Sequence, residues 1–118
     1  MDNSMHNRRH IDRKHLMQYL RVYECNTASL LGYLVDISMD GFMLLSEVPL
    51  ETGKTMRVRI VLNQNERQEM VFTVESLWSA RDVNPNYVNT GFRLLEIPPK
   101  EFDSVRDILE KHCYQSLP

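Results

Sequence analysis

From Met17 onward, apolar and polar residues alternate with a period of two in short runs separated by turn residues. This is the pattern of half-buried antiparallel strands. The run from Thr55 to Leu62 shows it most clearly, with Met56, Val58, Ile60 and Leu62 pointing one way and Arg57 and Arg59 the other. Met70, Phe72 and Val74 alternate with Val71, Thr73 and Glu75, and the polar residues Asn63 to Glu66 between the two runs predict a hairpin loop. Further strands are predicted at about Met17 to Glu24, Leu30 to Ile37, Phe42 to Ser46 and Tyr87 to Leu95, each bounded by Asn, Asp, Gly or Pro. Consecutive short strands joined by hairpin-length connections predict a mainly β fold: a six-stranded antiparallel sheet curled into a barrel, which leaves no free edge.

The period changes after Ile97-Pro98-Pro99. Phe102, Val105, Ile108, Leu109 and His112 or Cys113 recur at spacings of three and four, which puts them on one face of a helix. Pro99 suits the first turn of that helix, where no backbone donor is needed. The pattern therefore predicts a C-terminal amphipathic helix over residues 99–114, laid against the barrel. Residues 1–15 have neither periodicity and are expected to form a flexible N-terminal arm, with residues 16–118 forming the barrel and its helix. A chain of 118 residues fits one such domain with one core.

Composition narrows the functional classes. With 42% hydrophobic and 25% charged residues, the chain is neither disordered nor fibrous in character. Its uncharged apolar stretches, such as residues 28–35, are far shorter than the roughly 20 residues of a membrane helix. The first fifteen residues contain no apolar segment of the kind a secretory signal needs, so a cytoplasmic location is expected. Cys25 and Cys113 are too few and too far apart for a disulfide framework or a zinc site, and are expected as reduced thiols. The net charge of -2 argues against a broad nucleic-acid surface. Its distribution is uneven: residues 1–15 hold Arg8, Arg9, Arg13 and Lys14 against Asp2 and Asp12, while the remainder holds ten bases against fourteen acids.

Two constellations carry chemistry. In Arg9-His10-Ile11-Asp12-Arg13, two guanidinium groups are spaced by four, with Arg8 just before them. Guanidinium is a planar fork that binds phosphate oxygens two at a time, grips the O6 and N7 edge of guanine, and stacks on a purine face. The spacing alone is unspecific, because about one such pair arises by chance in a chain with this much arginine. The second constellation, Asp36-Ile37-Ser38-Met39-Asp40-Gly41, lies where one predicted strand turns into the next. Its carboxylate can accept from the N1 and N2 donors of guanine, its hydroxyl can donate to a phosphate, and its glycine permits a tight turn and close backbone approach. A pattern (Asp or Asn)-x-Ser-x-x-Gly is expected by chance in only roughly 3% of such chains.

In this order, and ahead of a six-strand pattern with a C-terminal helix, these residues resemble a PilZ domain over nearly the whole chain. Leu31 to Ile37, the strand end Val74 to Trp78, and Gly91-Phe92-Arg93-Leu94-Leu95 add to the likeness. The resemblance implies a bacterial receptor for cyclic di-GMP, built on a six-stranded antiparallel barrel of the split-barrel type, with no enzymatic activity and no cofactor beyond that ligand. It implies that Arg9 and Arg13 clamp phosphates and a guanine edge, that Asp36 and Ser38 contact guanine or phosphate, and that Gly41 shapes the turn. It further implies a role for Arg8, which stands where in similar proteins a basic residue tends to accompany an intercalated pair of ligand molecules rather than a single one. Ordering of the arm over the ligand would then present a new surface to a downstream protein partner, in processes such as motility, biofilm formation or surface polysaccharide control.

Two other readings compete: a small-barrel nucleic-acid binder, and a protein-interaction adaptor that keeps the barrel without binding nucleotide. Trp78, Tyr19, Tyr23, Tyr33, Phe72 and Phe92 could stack single-stranded bases, but their alternating strand positions assign most of them to the core. Arg57 and Arg59 are expected on the exposed face of an amphipathic strand. His6, His10 and His15 have no carboxylate or thiol at ligand spacing and are expected to be solvated rather than metal-bound. There is neither a Gly-x-Ser-x-Gly elbow nor a Gly-x-x-x-x-Gly-Lys loop, so nothing indicates an enzyme.

Overall fold

The alternating runs become strands in a computed structural model that describes residues 14–63, 68–96, 99–111 and 113. The order is β1 (Lys14–Glu24), β2 (Leu30–Ile37), β3 (Gly41–Ser46), β4 (Thr55–Asn63), β5 (Gln68–Arg81), β6 (Val88–Glu96) and α1 (Pro99–Lys111). All neighbouring strands pair antiparallel, in a closed barrel of order β1-β2-β3-β6-β5-β4. β6 is thus inserted between β3 and β5, and the barrel closes where Val22, Tyr23 and Glu24 of β1 pair with Ile60, Arg59 and Val58 of β4. This insertion sets two distant stretches of sequence, 41–46 and 88–93, edge to edge.

The inward positions are those the alternation predicts. Val22, Leu34, Phe42, Leu44, Val58, Ile60, Phe72, Val74 and Phe92 are buried, and each full burial of such a side chain contributes about 1.5–3 kcal/mol. Phe42 and Phe92 face each other across β3 and β6 with stacked rings, their centroids 5.3 Å apart. The buried hydroxyl of Ser76 donates to the Glu51 carbonyl at 2.6 Å and accepts from the Lys54 amide at 3.1 Å, so a polar group inside the wall is satisfied by pinning the β3–β4 loop. α1 packs on β5 through buried Val105 and Ile108, with Leu109 partly buried and Asp103, Arg106 and Glu110 facing water. Just beyond it, buried Cys113 bridges to Leu16 and ties the chain back to β1. The Phe102 and His112 side chains and the loop over 64–67 lie outside the described residues. Among the described residues, no helix is long and apolar enough to cross a membrane.

Two strands are longer than their patterns predict. β1 begins at Lys14 rather than Met17, because Lys14 and His15 pair with Ile37 and Asp36. β5 continues past Trp78 to Arg81, because its second half leaves β4 and pairs with β6.

Candidate functional site

Of the six breaks in the strand register among the described residues, three fall on the strands around one turn, Asp36–Gly41. In β2, Leu34 opposes Leu44 and Asp36 opposes Met43, so Val35 is an extra residue. Leu34 and Ile37 consequently both join the core cluster although three apart, whereas a regular strand of period two would point them to opposite faces. In β5, Ser76 opposes Phe92 and Trp78 opposes Gly91, so Leu77 is extra. In β1, the five steps from His15 to Leu20 answer only two steps in β2, from Asp36 to Leu34. Such bulges bend a strand and re-aim its side chains.

The consequence for Asp36 is direct. Its neighbour Ile37 points inward, so the carboxylate is turned to the outer face, beside Met43 and opposite His15, yet it is only 7% exposed. Ser38, 1% exposed, sits inside the turn that follows. Its amide donates to the Gly41 carbonyl at 2.8 Å, and its hydroxyl donates to the same carbonyl and accepts from the amides of Asp40 and Gly41, each at 3.3 Å. The serine therefore builds the turn as well as lining it. The Asp40 carbonyl accepts from the Leu94 amide at 2.8 Å, which fastens the turn to β6. Gly41 is needed there for close approach rather than for a left-handed backbone, since a Cβ on it would lie 2.1 Å from the Phe92 carbonyl oxygen.

Outward from the turn, two rows of residues cross the sheet. One runs from Asp36 through Met43 and Gly91 to Trp78. The indole lies over Gly91, where a Cβ would come within 2.2 Å of its Nε1, and Trp78 remains 41% exposed. At strand spacings of about 4.8 Å, Gly91 is roughly 10 Å from Asp36, which puts an aromatic face within the span of one dinucleotide. The other row is Gly41, Arg93 and Glu75, with Arg93 and Glu75 joined in an ion pair. The barrel side of this region thus offers a carboxylate, a serine-braced turn, an aromatic platform and a guanidinium. No group of three or more His, Cys, Asp or Glu among the described residues is placed to hold a metal ion.

The structure brings Asp36, Ser38 and Gly41 together, whereas Arg8, Arg9 and Arg13 lie outside the described residues. The family model of the PilZ domain matches residues 7–115, which include Arg8, Arg9 and Arg13 as well as the Asp36 turn. This chain belongs to the PilZ family. The PilZ fold is also found among solved structures. The chain is similar to the "PilZ domain with c-di-GMP of YcgR from Escherichia coli", at a TM-score of 0.63 and 19% identity, over 86% of this chain and 88% of that one. It is similar to the Bacillus subtilis inhibitor of motility (MotI/DgrA), at a TM-score of 0.67 and 17% identity, over 89% of this chain and 53% of that one. Against YcgR in complex with c-di-GMP from Escherichia coli the TM-score is 0.69 at 18% identity, over 86% of this chain and 44% of that one. This PilZ chain therefore spans only about half the length of the two longer neighbours. No curated protein matches the sequence.

Within this PilZ barrel, one sequence expectation is corrected. Of the six aromatic residues set aside for the core, Phe72 and Phe92 are buried, but Tyr19, Tyr33 and Trp78 are exposed by 54%, 37% and 41%. At Trp78 the cause is the extra residue Leu77, which turns its successor to the other face, whereas Tyr19 and Tyr33 alternate with the inward Leu20 and Leu34 and so face out. Arg57 and Arg59 do lie on the outer side of β4, where Arg59 pairs with Glu69 at 3.1 Å and covers the Tyr23 ring at 4.8 Å.

Proposed function

We propose that this PilZ chain is a receptor for cyclic di-GMP, which it binds on the outer face of β2, β3 and β6 without catalysing a reaction on it. The observation that carries the reading is the Asp36–Gly41 turn, an outward buried carboxylate beside a loop braced by the Ser38 hydroxyl, at the end where β1 begins. In this reading Asp36 and Ser38 contact guanine or phosphate, and Gly41 lets the turn lie flat on β6. Trp78 offers a face for a second purine. Arg9 and Arg13 complete the site from the arm. The chain tethers Arg13 one residue and Arg9 five residues from Lys14, whose Cα opposes Ile37, so their Cα atoms reach at most about 3.8 Å and about 18 Å from it.

The arm has a net positive charge and the rest of the chain a net negative one. A ligand with two phosphates supplies the anion that draws the guanidinium groups onto an otherwise acidic surface, and the arm orders in doing so. The ordered arm is the signal to a protein partner. Arg8 adds a further fork suited to a second, intercalated ligand molecule.

Calorimetric titration with cyclic di-GMP, with GTP as control, tests the reading. Saturable binding of the cyclic dinucleotide alone is expected. Arg9→Ala and Arg13→Ala should each cost about 1.5–3 kcal/mol, or roughly ten- to a hundredfold in affinity. A wild-type chain indifferent to cyclic di-GMP would be an adaptor, and one that binds single-stranded nucleic acid with steep salt dependence would be a nucleic-acid binder.

A further inference from the structure

Resting on the cyclic di-GMP reading, we propose that Arg93 is a phosphate-binding residue of the same site and that Glu75 is its resident counter-ion, displaced when the ligand arrives. Gly41, Arg93 and Glu75 are Cα partners in one row across β3, β6 and β5. Directly opposed residues of an antiparallel sheet lie about 4.5–5.5 Å apart, so Arg93 springs from the strand next to the turn. On one flank its guanidinium is bound by the Glu75 carboxylate. On the other flank is Gly41, the last residue of the turn, which lets β6 approach so closely that a Cβ there would lie 2.1 Å from the Phe92 carbonyl oxygen and 3.3 Å from the Arg93 Cα.

The pair is poised to exchange. Its side chains are 56% and 28% exposed, so it stands at the surface, where an ion pair is weakly held and in competition with other anions. Carboxylate and phosphate each present two oxygens to the same planar fork, so a phosphate can take the place of Glu75 without a change in the geometry Arg93 requires. Charge gives the exchange its importance. The acids at this end of the barrel include Asp36, Asp40 and Glu75, and a dianion approaching them needs a cation on the barrel as well as on the arm. Glu75 then sets a threshold: the ligand binds only by outcompeting it, and the affinity is held lower than Arg93 alone would give.

The test is calorimetric titration of cyclic di-GMP into four full-length proteins: wild type, Arg93→Gln, Glu75→Gln and the double variant. Arg93→Gln should weaken binding roughly tenfold, and Glu75→Gln should tighten it about threefold. Arg93→Lys, which keeps the charge and loses the fork, should fall between wild type and Arg93→Gln. The double variant should bind as Arg93→Gln does, because Glu75 acts through Arg93. If Glu75→Gln tightens binding equally with and without Arg93, Glu75 is only a bystander charge and the proposal fails. It also fails if Arg93→Gln binds like wild type. In both cases the receptor reading survives, whereas a wild type that does not bind the dinucleotide overturns both.

Discussion

From Thr55 to Val61, β4 pairs with β5 residue for residue, while the strands around Asp36 carry extra residues at Val35, at Leu77 and within Leu16 to Tyr19. The regular hairpin does one thing, which is to present Val58, Ile60, Phe72 and Val74 to the core and a row of charged or polar residues to water. The irregular face does two. It keeps Leu34, Ile37 and Phe92 in the core while turning Asp36 and Trp78 outward at the two ends of one row, with Met43 and Gly91 between them. A bulge costs ladder hydrogen bonds, and three of the six register breaks among the described residues fall on the strands around this one turn, where they re-aim side chains to the outer face.

The contrast can be broken first at its core. Phe92→Ala removes the ring stacked on Phe42 and empties the wall directly beneath the turn, and should cost about 3–5 kcal/mol in chemical denaturation. Gly41→Ala strikes the turn itself. Its new methyl would meet the Phe92 carbonyl at 2.1 Å, so β3 and β6 must separate, at a cost of about 1–3 kcal/mol; the same variant should lose cyclic di-GMP binding in a calorimetric titration. On the regular side, Arg59→Ala deletes an exposed pair with Glu69 and a contact with the Tyr23 ring. It should shift stability by no more than about 1 kcal/mol and leave ligand affinity unchanged.

The smallest effect belongs to the opposite end of the barrel, in the loop after β5. There the Asn89 side chain donates to Asp82 at 2.8 Å and the Asn84 amide donates at 3.1 Å, holding its carboxyl below the ordinary carboxylate range. A carboxyl with a lowered folded-state pKa stabilises the fold above its unfolded pKa, and that contribution fades as pH falls through the folded value. Asp82→Ala should therefore matter slightly at neutral pH, not at all in strong acid, and never in ligand titrations.

The same contrast explains what could be read from the sequence. Period-two alternation is a local signal, so the six strands, the inward residues of β4 and β5, and the helix from Pro99 were all legible. The Asp36–Gly41 turn was legible too, because its residues are contiguous. Arg93 and Trp78 were not, since they meet the turn only because β6 inserts between β3 and β5, a long-range pairing that no local pattern encodes. Trp78 was hidden further by the extra residue at Leu77, which reversed its expected face.

The claim that the irregular face is the ligand site is tested most directly by amide and indole resonances followed through a titration with cyclic di-GMP. Shifts should concentrate on Asp36 to Gly41, Gly91, Arg93 and the Trp78 indole N–H, with new or displaced signals from residues 8–13. Shifts centred on the β4–β5 hairpin, or none at saturating ligand, would contradict the account.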